Sequence, residues 1–452
     1  MSQTSLWWIR RDLRLADNAP LQAAIRTGEV LPVFILDPRL LSKPAPCRQS
    51  FLFEGLFTLD RDLRARGSYL ILRTGDPLGV LQKLAQETGS RSIFAEEDFT
   101  PYARQRDARI MRELPLTLIG GQTVHHPGHI LKNDGKPYTV YTPYSKEWKA
   151  RLQDIDLIPA PEDIPTPAGI PSEPLPSFSG NPLFPAGEQE ALVRLEEFTF
   201  QRIHAYGENR DRMDLDGTSA LSPYLRFGML GLRQANYAAR QAIAQKLGPG
   251  AEIWLNELIW REFYIQILYH FPHVAKTAFN PALAHIPWRN NLQEFEAWKH
   301  GITGVPVVDA AMRQLRETGW MHNRARMIVA SFLVKDLLID WRWGEEWFME
   351  NLLDGDIAAN NGGWQWTAGT GTDAAPYFRI FNPVLQSIKF DHNGDYIRRW
   401  VPELHGLDTK DIHEPWKKGI KIQSYPETPI LDRAIVKKRT MEAYALSKGR
   451  IG

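Results

Sequence analysis

Short apolar runs alternate with longer stretches of helical spacing over the first third of the chain. The runs cover residues 6–9, 31–36, 69–72 and 92–95. Strands that alternate with helices imply a parallel sheet with right-handed crossovers. Residues 1–130 are therefore expected to form a doubly wound α/β domain. No Gly-x-Gly-x-x-Gly follows the first run, which disfavours a nicotinamide dinucleotide. Arg10-Arg11-Asp12-Leu13-Arg14 follows it instead, with Asp17 and Asn18 close behind; this reads as a loop at a strand end.

Nine prolines then fall between Pro159 and Pro185, too many for helix interiors. Residues 131–187 are expected to be an ordered linker crossing the surface. From residue 188 the strand pattern stops. Residues 188–205, 232–245, 251–269, 292–299, 307–317, 323–339 and 343–352 all carry apolar positions at helical spacing. Residues 188–452 thus predict a large all-α domain. After Phe390 the chain turns irregular and basic, and Lys437-Lys438-Arg439 reads as part of a solvated tail.

The 452 residues suffice for two or three domains with sizeable cores. Net charge is +1, so nucleic-acid binding would need a local basic surface. The single cysteine, Cys47, excludes an internal disulfide and a cysteine-rich metal site and fits a reducing cytoplasm. The N-terminus lacks the pattern of a signal peptide, and no apolar run reaches the ~18 residues of a membrane span. Fifteen tryptophans hint at stacking or electron transfer, although a large aromatic core accounts for most of them.

Residues 309–366 have the densest mixture of polar and aromatic groups. Gly319 to Met327 reads Gly-Trp-Met-His-Asn-Arg-Ala-Arg-Met, and Leu353 to Trp366 reads Leu-Asp-Gly-Asp-Ile-Ala-Ala-Asn-Asn-Gly-Gly-Trp-Gln-Trp. Gly362 and Gly363 would let the backbone turn tightly or approach something closely. Buried polar groups cost free energy unless paired. A planar polar cofactor between aromatic walls explains the pattern, and so does a capped helix pair with a Gly-rich turn; pattern alone weighs the two equally. Ser222 before Pro223 marks a helix start, which is either capping alone or an anion site. Glu257, Trp260, Arg261 and Tyr264 fall at i, i+3, i+4 and i+7, on one helix face. Asn323 and Met327 share another.

These stretches, with Trp-Leu-Asn-Glu-Leu-Ile-Trp-Arg-Glu-Phe-Tyr at 254–264 and Gly-Thr-Ser-Ala-Leu-Ser-Pro at 217–223, closely resemble the photolyase/cryptochrome flavoprotein family, in order and spacing, from Trp7 to about Lys438. The resemblance implies FAD, reduced in the active form. It assigns Tyr206, Thr218, Ser219, Ala220, Leu221 and Ser222 to the FAD phosphates. Trp254, Glu257, Arg261, Asn323, Arg326, Asp354, Asp356 and Asn360 join the cofactor set. Arg326 pairs with Asp354 beside the flavin, and its charge favours a negative reduced ring. Asn360 faces the central flavin nitrogen, where a neutral amide either accepts or donates.

The resemblance also implies a damaged-DNA pocket. Glu257 hydrogen-bonds the damaged base, Trp260 stacks on it, and Asn323, Met327 and Trp366 complete the catalytic set. Arg210, Arg324 and Gln386 match DNA contacts; Arg379 and Lys389 are nearby basic candidates. Met327 and Trp366 match the branch that repairs cyclobutane pyrimidine dimers. Trp288, Trp341 and Trp364 match three tryptophans that relay electrons to the flavin. Arg48, Asp98 and Arg226 fall where deazaflavin-binding members carry Arg, Asp and Lys, whereas the Cys-Lys pair of folate-binding members is replaced by Val274-Ala275. Lys-to-Arg is not a neutral exchange for a flat ring ligand. The expected antenna is a deazaflavin, ahead of FMN and methenyltetrahydrofolate. The implied protein is a light-driven repair enzyme acting on dimer-containing DNA, monomeric, cytoplasmic, without a metal and not at a membrane. The alternative is a cryptochrome-like blue-light receptor without repair activity.

Overall fold

The computed structural model describes residues 3–449. Gln3–Ile9 (β1), Gly28–Leu36 (β2), Ile71–Thr74 (β3), Ser92–Ala95 (β4) and Leu116–Leu118 (β5) form one parallel sheet in the order β3-β2-β1-β4-β5. Four of these strands follow the apolar runs. The fifth has three residues, too few for a period to register. Leu6 lies opposite Leu31 and Trp8 opposite Val33, and these side chains are buried. Such near-continuous burial is what a sheet covered on both faces requires. The covering helices are Ala19–Thr27 (α1), the single turn Pro38–Leu41 (α2), Pro46–Arg64 (α3), Pro77–Thr88 (α4) and Pro101–Met111 (α5). A proline occupies the first turn of each, where its missing N–H costs nothing.

The chain divides into two compact units. One runs up to His204 and adds Ser219–Pro272; the other is Ala205–Thr218 with everything from His273 onward. These cuts differ from the expected bounds at 130 and 187. Tyr141–Ala150 (α6) is a helix inside the expected linker. Glu188–Glu197 (α7), Ser222–Phe227 (α9), Leu232–Ala244 (α10) and Gly250–His270 (α11) belong to the first unit, and Tyr206–Asn209 (α8) to the second. The reason lies in α11. Its Glu262 is fully buried and accepts from Trp148 Nε1 on α6 at 2.8 Å and from Val124 N at 2.8 Å. The proline-rich stretch holds no helix or strand but is tied down, with Ile164 N donating to Arg66 O and Tyr69 OH to Pro167 O.

The second unit is helical: Leu292–His300 (α12), Pro306–Thr318 (α13), Asn323–Ser331 (α14), Trp341–Asn351 (α15), Ile357–Ala368 (α16), Pro383–Phe390 (α17), Asp395–Trp400 (α18) and Arg433–Gly449 (α19). Its core runs from Met213 through α13–α16 to Trp400 and Tyr425.

Five local expectations are corrected. The helices expected over 188–205 and 323–339 each change pitch into a π turn, at Phe198–Arg202 and Phe332–Asp336, and the second ends where Leu338 takes φ +54°. Leu221, not Ser222, occupies the N-cap position of α9, and no side chain caps it. Gly362 and Gly363 lie inside α16 rather than in a turn. The basic run at 437–439 is not a solvated tail. Lys437 and Lys438 are exposed on α19, Arg439 donates to Asp336 O, and the helix buries Val436, Thr440, Ala443, Tyr444 and Ser447 at helical spacing. Tyr444 OH donates to Ala368 O, and Lys335 Nζ donates to Tyr444 OH.

Candidate functional site

In the first unit, α11 presents a selective face. Within residues 254–268 only Asn256, Glu257, Trp260, Arg261 and Tyr264 are half-buried; every other side chain is buried. The four residues expected on one face are thus the open stripe of a buried helix. Trp254, on the buried side, packs against Phe198 with ring centroids 5.0 Å apart. Arg261 reaches Leu225 O at 3.5 Å, which ties α11 to α9. Trp260 is sandwiched on one side by Tyr141, stacked at 3.7 Å with planes 4° apart. Tyr141 OH donates to Asn256 O at 2.8 Å, one turn before Trp260. Sequence reasoning missed Tyr141, which lies 119 positions before Trp260 and has no periodic relation to it.

The segment joining the units carries the expected phosphate residues. Tyr206 is buried, with Arg210 over its ring at 5.7 Å. Gly217 packs so closely on Asn209 that a Cβ would stand 2.6 Å from its carbonyl oxygen. Thr218, Ser219, Ala220 and Ser222 are half-buried, and Leu221 is buried. Ala220 takes φ +49°, a left-handed conformation that costs an alanine about 1 kcal/mol. Such strain recurs at ligand loops.

In the second unit, Arg326 on α14 donates to Asp354 Oδ2 at 2.8 Å and to Met321 O at 2.8 Å. The other oxygen, Asp354 Oδ1, is buried without a hydrogen-bond partner. An orphaned acceptor of this kind matches a ligand N–H, so the site fits a flavin ring edge on its own chemistry. Asp356 Oδ1 accepts from Ala358 N and Ala359 N, capping α16. Asn360 Nδ2 donates to Glu345 O at 2.9 Å. That bond orients the amide and leaves its carbonyl oxygen to act as acceptor. Asn323 is exposed, and Met327 and Trp366 are half-buried. His322 caps α14, its Nδ1 accepting from Arg324 N at 3.1 Å. Nε2 therefore carries the proton, and burial pushes the imidazole pKa down to about 4.

The three relay candidates lie in or against one core. Trp364 and Trp341 are 2% and 3% exposed, and Trp288 is half-buried against the same core. Trp364 sits edge-on to Phe348 at 5.0 Å and to Trp298 at 6.2 Å. Gly344 makes room for it, because a Cβ there would overlap the indole Cη2.

Among the DNA candidates, Arg324 on α14 is held by Asp211, through Nε at 3.2 Å and Nη2 at 2.8 Å, and lies 4.3 Å over the Phe390 ring. Gln386 and Lys389 lie on α17. Arg379 precedes that helix and lies 5.9 Å over Phe381. Leu385 and Ile388, 60% and 45% exposed, flank Gln386. Sequence reasoning passed over them, although unpaired apolar residues beside basic ones were the available signal.

Of the candidate antenna residues, Asp98 follows the carboxyl end of β4, next to β1, where the strand order reverses, and Arg226 lies on α9. Ligands of doubly wound sheets bind at such switch points. Arg11 Nε donates to Arg226 O at 3.1 Å, and Arg11 Nη1 lies 3.9 Å from Asp98. Burial alone would raise the Asp98 pKa, but Arg11, the Thr100 N–H, Arg10 and Arg106 hold it below the usual range. Arg48 is half-buried in the first turn of α3. Arg10 and Arg14 are structural: Arg10 pairs with Asp107 at 2.6 Å and Arg14 with Glu96 at 2.9 Å, all four buried. Among the described residues no metal-binding cluster of His, Cys, Asp or Glu occurs, and no helix is long and apolar enough to cross a membrane.

Residues 5–168 match the family model described as DNA photolyase, and residues 254–446 match the FAD binding domain of DNA photolyase. A deoxyribodipyrimidine photo-lyase of a Synechococcus species is 41% identical, covering 100% of this chain and 98% of that protein. The crystal structure of a class III photolyase from Agrobacterium tumefaciens superposes with a TM-score of 0.94 at 36% identity, covering 99% of this chain and 98% of that one. A Synechocystis cryptochrome superposes at 0.88 with 29% identity, covering 98% and 99%. With its sheet, its helical half and both family regions in register, the chain belongs to the DNA photolyase family.

Proposed function

We propose that the protein is a light-driven DNA lyase that splits cyclobutane pyrimidine dimers, with FAD as its cofactor. The observation that carries this reading is the half-open stripe Glu257–Trp260–Arg261–Tyr264 on an otherwise buried helix. A carboxylate, a flat indole and a guanidinium side by side suit a base edge, a base face and a cofactor. Bound in its reduced form, FAD would supply the light-excited electron that opens the dimer ring and is returned afterwards. The protein's own groups bind, orient and tune. Tyr206 and residues 217–222 would hold the FAD phosphates. Asp354 Oδ1, which has no hydrogen-bond partner in the protein, would accept from an N–H of the cofactor ring, and Arg326 would offset negative charge there. Asn360, oriented by one N–H to Glu345 O, would face the central ring nitrogen with its amide.

DNA is gripped chiefly through phosphates, by Arg210 and Arg324 with Gln386, and the dimer is flipped from the stack. The exposed Leu385 and Ile388 suit the apolar contact that fills a disrupted stack. Trp260 and Trp366 are the proposed stacking faces for the lesion, and Glu257, Asn323 and Met327 its other proposed contacts. Trp288, Trp341 and Trp364 relay electrons inward when the cofactor is oxidised. The antenna reading is a deazaflavin at Arg48, Asp98 and Arg226, supported by the switch-point position of Asp98. The protein works as a cytoplasmic monomer, with residues 1–130 for the antenna, 131–187 as linker and 188–452 for FAD and DNA.

The reduced protein should restore thymines in an irradiated oligonucleotide under near-ultraviolet or blue light and not in the dark. Equal restoration in the dark, or none in light with the cofactor fully reduced, overturns the reading. The cryptochrome alternative draws on the Synechocystis relative. Glu257, Trp260, Met327 and Trp366 together favour the enzyme.

A further inference from the structure

Arg324 is one of the two arginines assigned to the DNA backbone, yet its guanidinium is already engaged. Asp211 takes Nε at 3.2 Å and Nη2 at 2.8 Å, a two-pronged contact, and only 16% of the Arg324 side chain is exposed. The Phe390 ring supports the guanidinium from one face at 4.3 Å. Asp211 is part of the alternating sequence Arg210-Asp211-Arg212-Met213-Asp214, in which Arg212 is likewise forked onto Asp214. Met213 N is bonded to Phe390 O at 3.0 Å, so the segment is fixed to the end of α17 and cannot drift from Arg324. A forked arginine–carboxylate pair copies the geometry of arginine on phosphate. Asp211 thus fills the place that a DNA phosphate would take.

We propose that Asp211 is a specificity-determining residue: an internal phosphate mimic that keeps Arg324 neutralised until a lesion is seated. The inference rests on Arg324 being a backbone contact. A phosphate that takes Arg324 from Asp211 exchanges one forked anion for another, so little is gained. The exchange also strands the Asp211 carboxylate beside DNA, where it takes up a cation and cancels the counterion released from the phosphate. On undamaged duplex, where binding is essentially electrostatic, the exchange has nothing to drive it. With a dimer flipped into the pocket, the contacts of Asn323 and Met327 on the same helix hold the backbone against Arg324, and the exchange follows. Asp211 therefore suppresses background binding more than lesion binding.

The test measures affinity for undamaged and dimer-containing duplex, across a range of salt, on FAD-loaded protein. Asp211→Asn keeps the size and a hydrogen-bonding oxygen but removes the charge. Its affinity for undamaged duplex should rise about fivefold, and the slope of log K against log salt should steepen by about 0.9, one phosphate's worth. Affinity for the lesion should change less, so discrimination falls. In an Arg324→Ala background Asp211→Asn should have no effect, and Asp211→Glu should retain the parent slope. Parent-like undamaged binding and slope in Asp211→Asn overturn the proposal, as does weaker binding to both duplexes, which would make Asp211 a mere brace. If Arg324→Ala alone leaves both affinities and both slopes at parent values, it is the backbone-contact reading that fails, and the result is recognisable as such.

Discussion

Tyr141 lies flat on Trp260, with ring centroids 3.7 Å apart and planes 4° from parallel. Its hydroxyl is anchored on Asn256 O, in the same helix as Trp260, and Phe263 meets both rings edge-on, at 5.9 Å and 5.5 Å. The indole is therefore clamped on one face and at an edge. Only its remaining face is available to stack on a flipped base, and that face is held at a fixed tilt before DNA arrives.

Tyr141→Ala should release the clamp. An aromatic pair contributes about 0.5–1.5 kcal/mol beyond its buried area, so lesion affinity should fall roughly threefold to tenfold with no change in salt slope. Tyr141→Phe keeps the stack and should stay close to the parent. Titrating a dimer-containing oligonucleotide against the three proteins checks this. Equal loss in the Ala and Phe variants would locate the effect in the Asn256 hydrogen bond instead.

Glu262 gives α11 a pH dependence. Burial raises its pKa from 4.5 to about 7, against the pull of Trp148, Val124 and His125. The folded state then holds a proton that the unfolded state has lost between about pH 4.5 and 7. A raised carboxyl pKa means that stability falls as pH rises through this window, by up to about 3 kcal/mol from this group, and stays lower above it. Glu262→Gln cannot titrate. Urea midpoints for parent and variant at pH 5 and pH 8 should show the parent's advantage over the variant shrinking at the higher pH. A constant difference would mean that Glu262 does not titrate in this range.

Much of this architecture was legible because the long helices repeat their pattern many times. α11 and the face shared by Glu257, Trp260, Arg261 and Tyr264 followed from spacing alone, as did α13, α15 and four strands; that this face is open did not. The misses have identifiable causes. Gly362 and Gly363 suggested a turn, since each costs a helix up to about 1 kcal/mol. The helix survives because Asp356 caps it and because Asn361 and Gln365 both donate to Val274 O, at 3.0 Å each. The basic run at 437–439 hid the inward positions of α19, which needed Lys335 and Ala368 as partners. Tyr141 and Asp211 act on residues more than a hundred positions away, and no local pattern encodes such pairings. The family resemblance supplied roles for single residues that spacing left open, but it gave neither pairing.

Gly344 is the seat of the inner tryptophan. A Cβ at this position would overlap Trp364 Cη2 and stand 2.7 Å from Leu333 Cδ2. Gly344→Ala should overpack the core and cost about 1–3 kcal/mol. It should also displace the indole, so that tryptophan fluorescence shifts and light-driven reduction of the oxidised cofactor slows, while repair by chemically reduced protein changes less. An unshifted spectrum with parent-like photoreduction would mean that the indole has room to spare.

Photoreduction and repair share one cofactor but use different side chains, and two tryptophans separated by a single residue should divide them. Trp364 is 2% exposed and surrounded by Phe348 and Trp298; Trp366, on α16 two residues later, is half-buried. Two residues along a helix rotate the side chain by about 200°, so the two indoles cannot serve the same partner. Photoreduction needs an electron from outside, which the proposed relay would draw inward through Trp288, Trp341 and Trp364. Repair lends an electron to the lesion and recovers it, so it needs no supply. Phe preserves most of the packing and should cost less than about 1.5 kcal/mol, but it is far harder to oxidise than Trp. Trp364→Phe should therefore largely lose light-driven reduction of the oxidised cofactor by an external thiol, yet repair dimers at near the parent yield when chemically reduced beforehand. Trp366→Phe should do the opposite, weakening lesion binding or repair while photoreduction persists. Photoreduction of Trp364→Phe at the parent rate would remove Trp364 from the relay. If both functions fell together in a folded, FAD-loaded variant, the two electron paths would have to share a side chain.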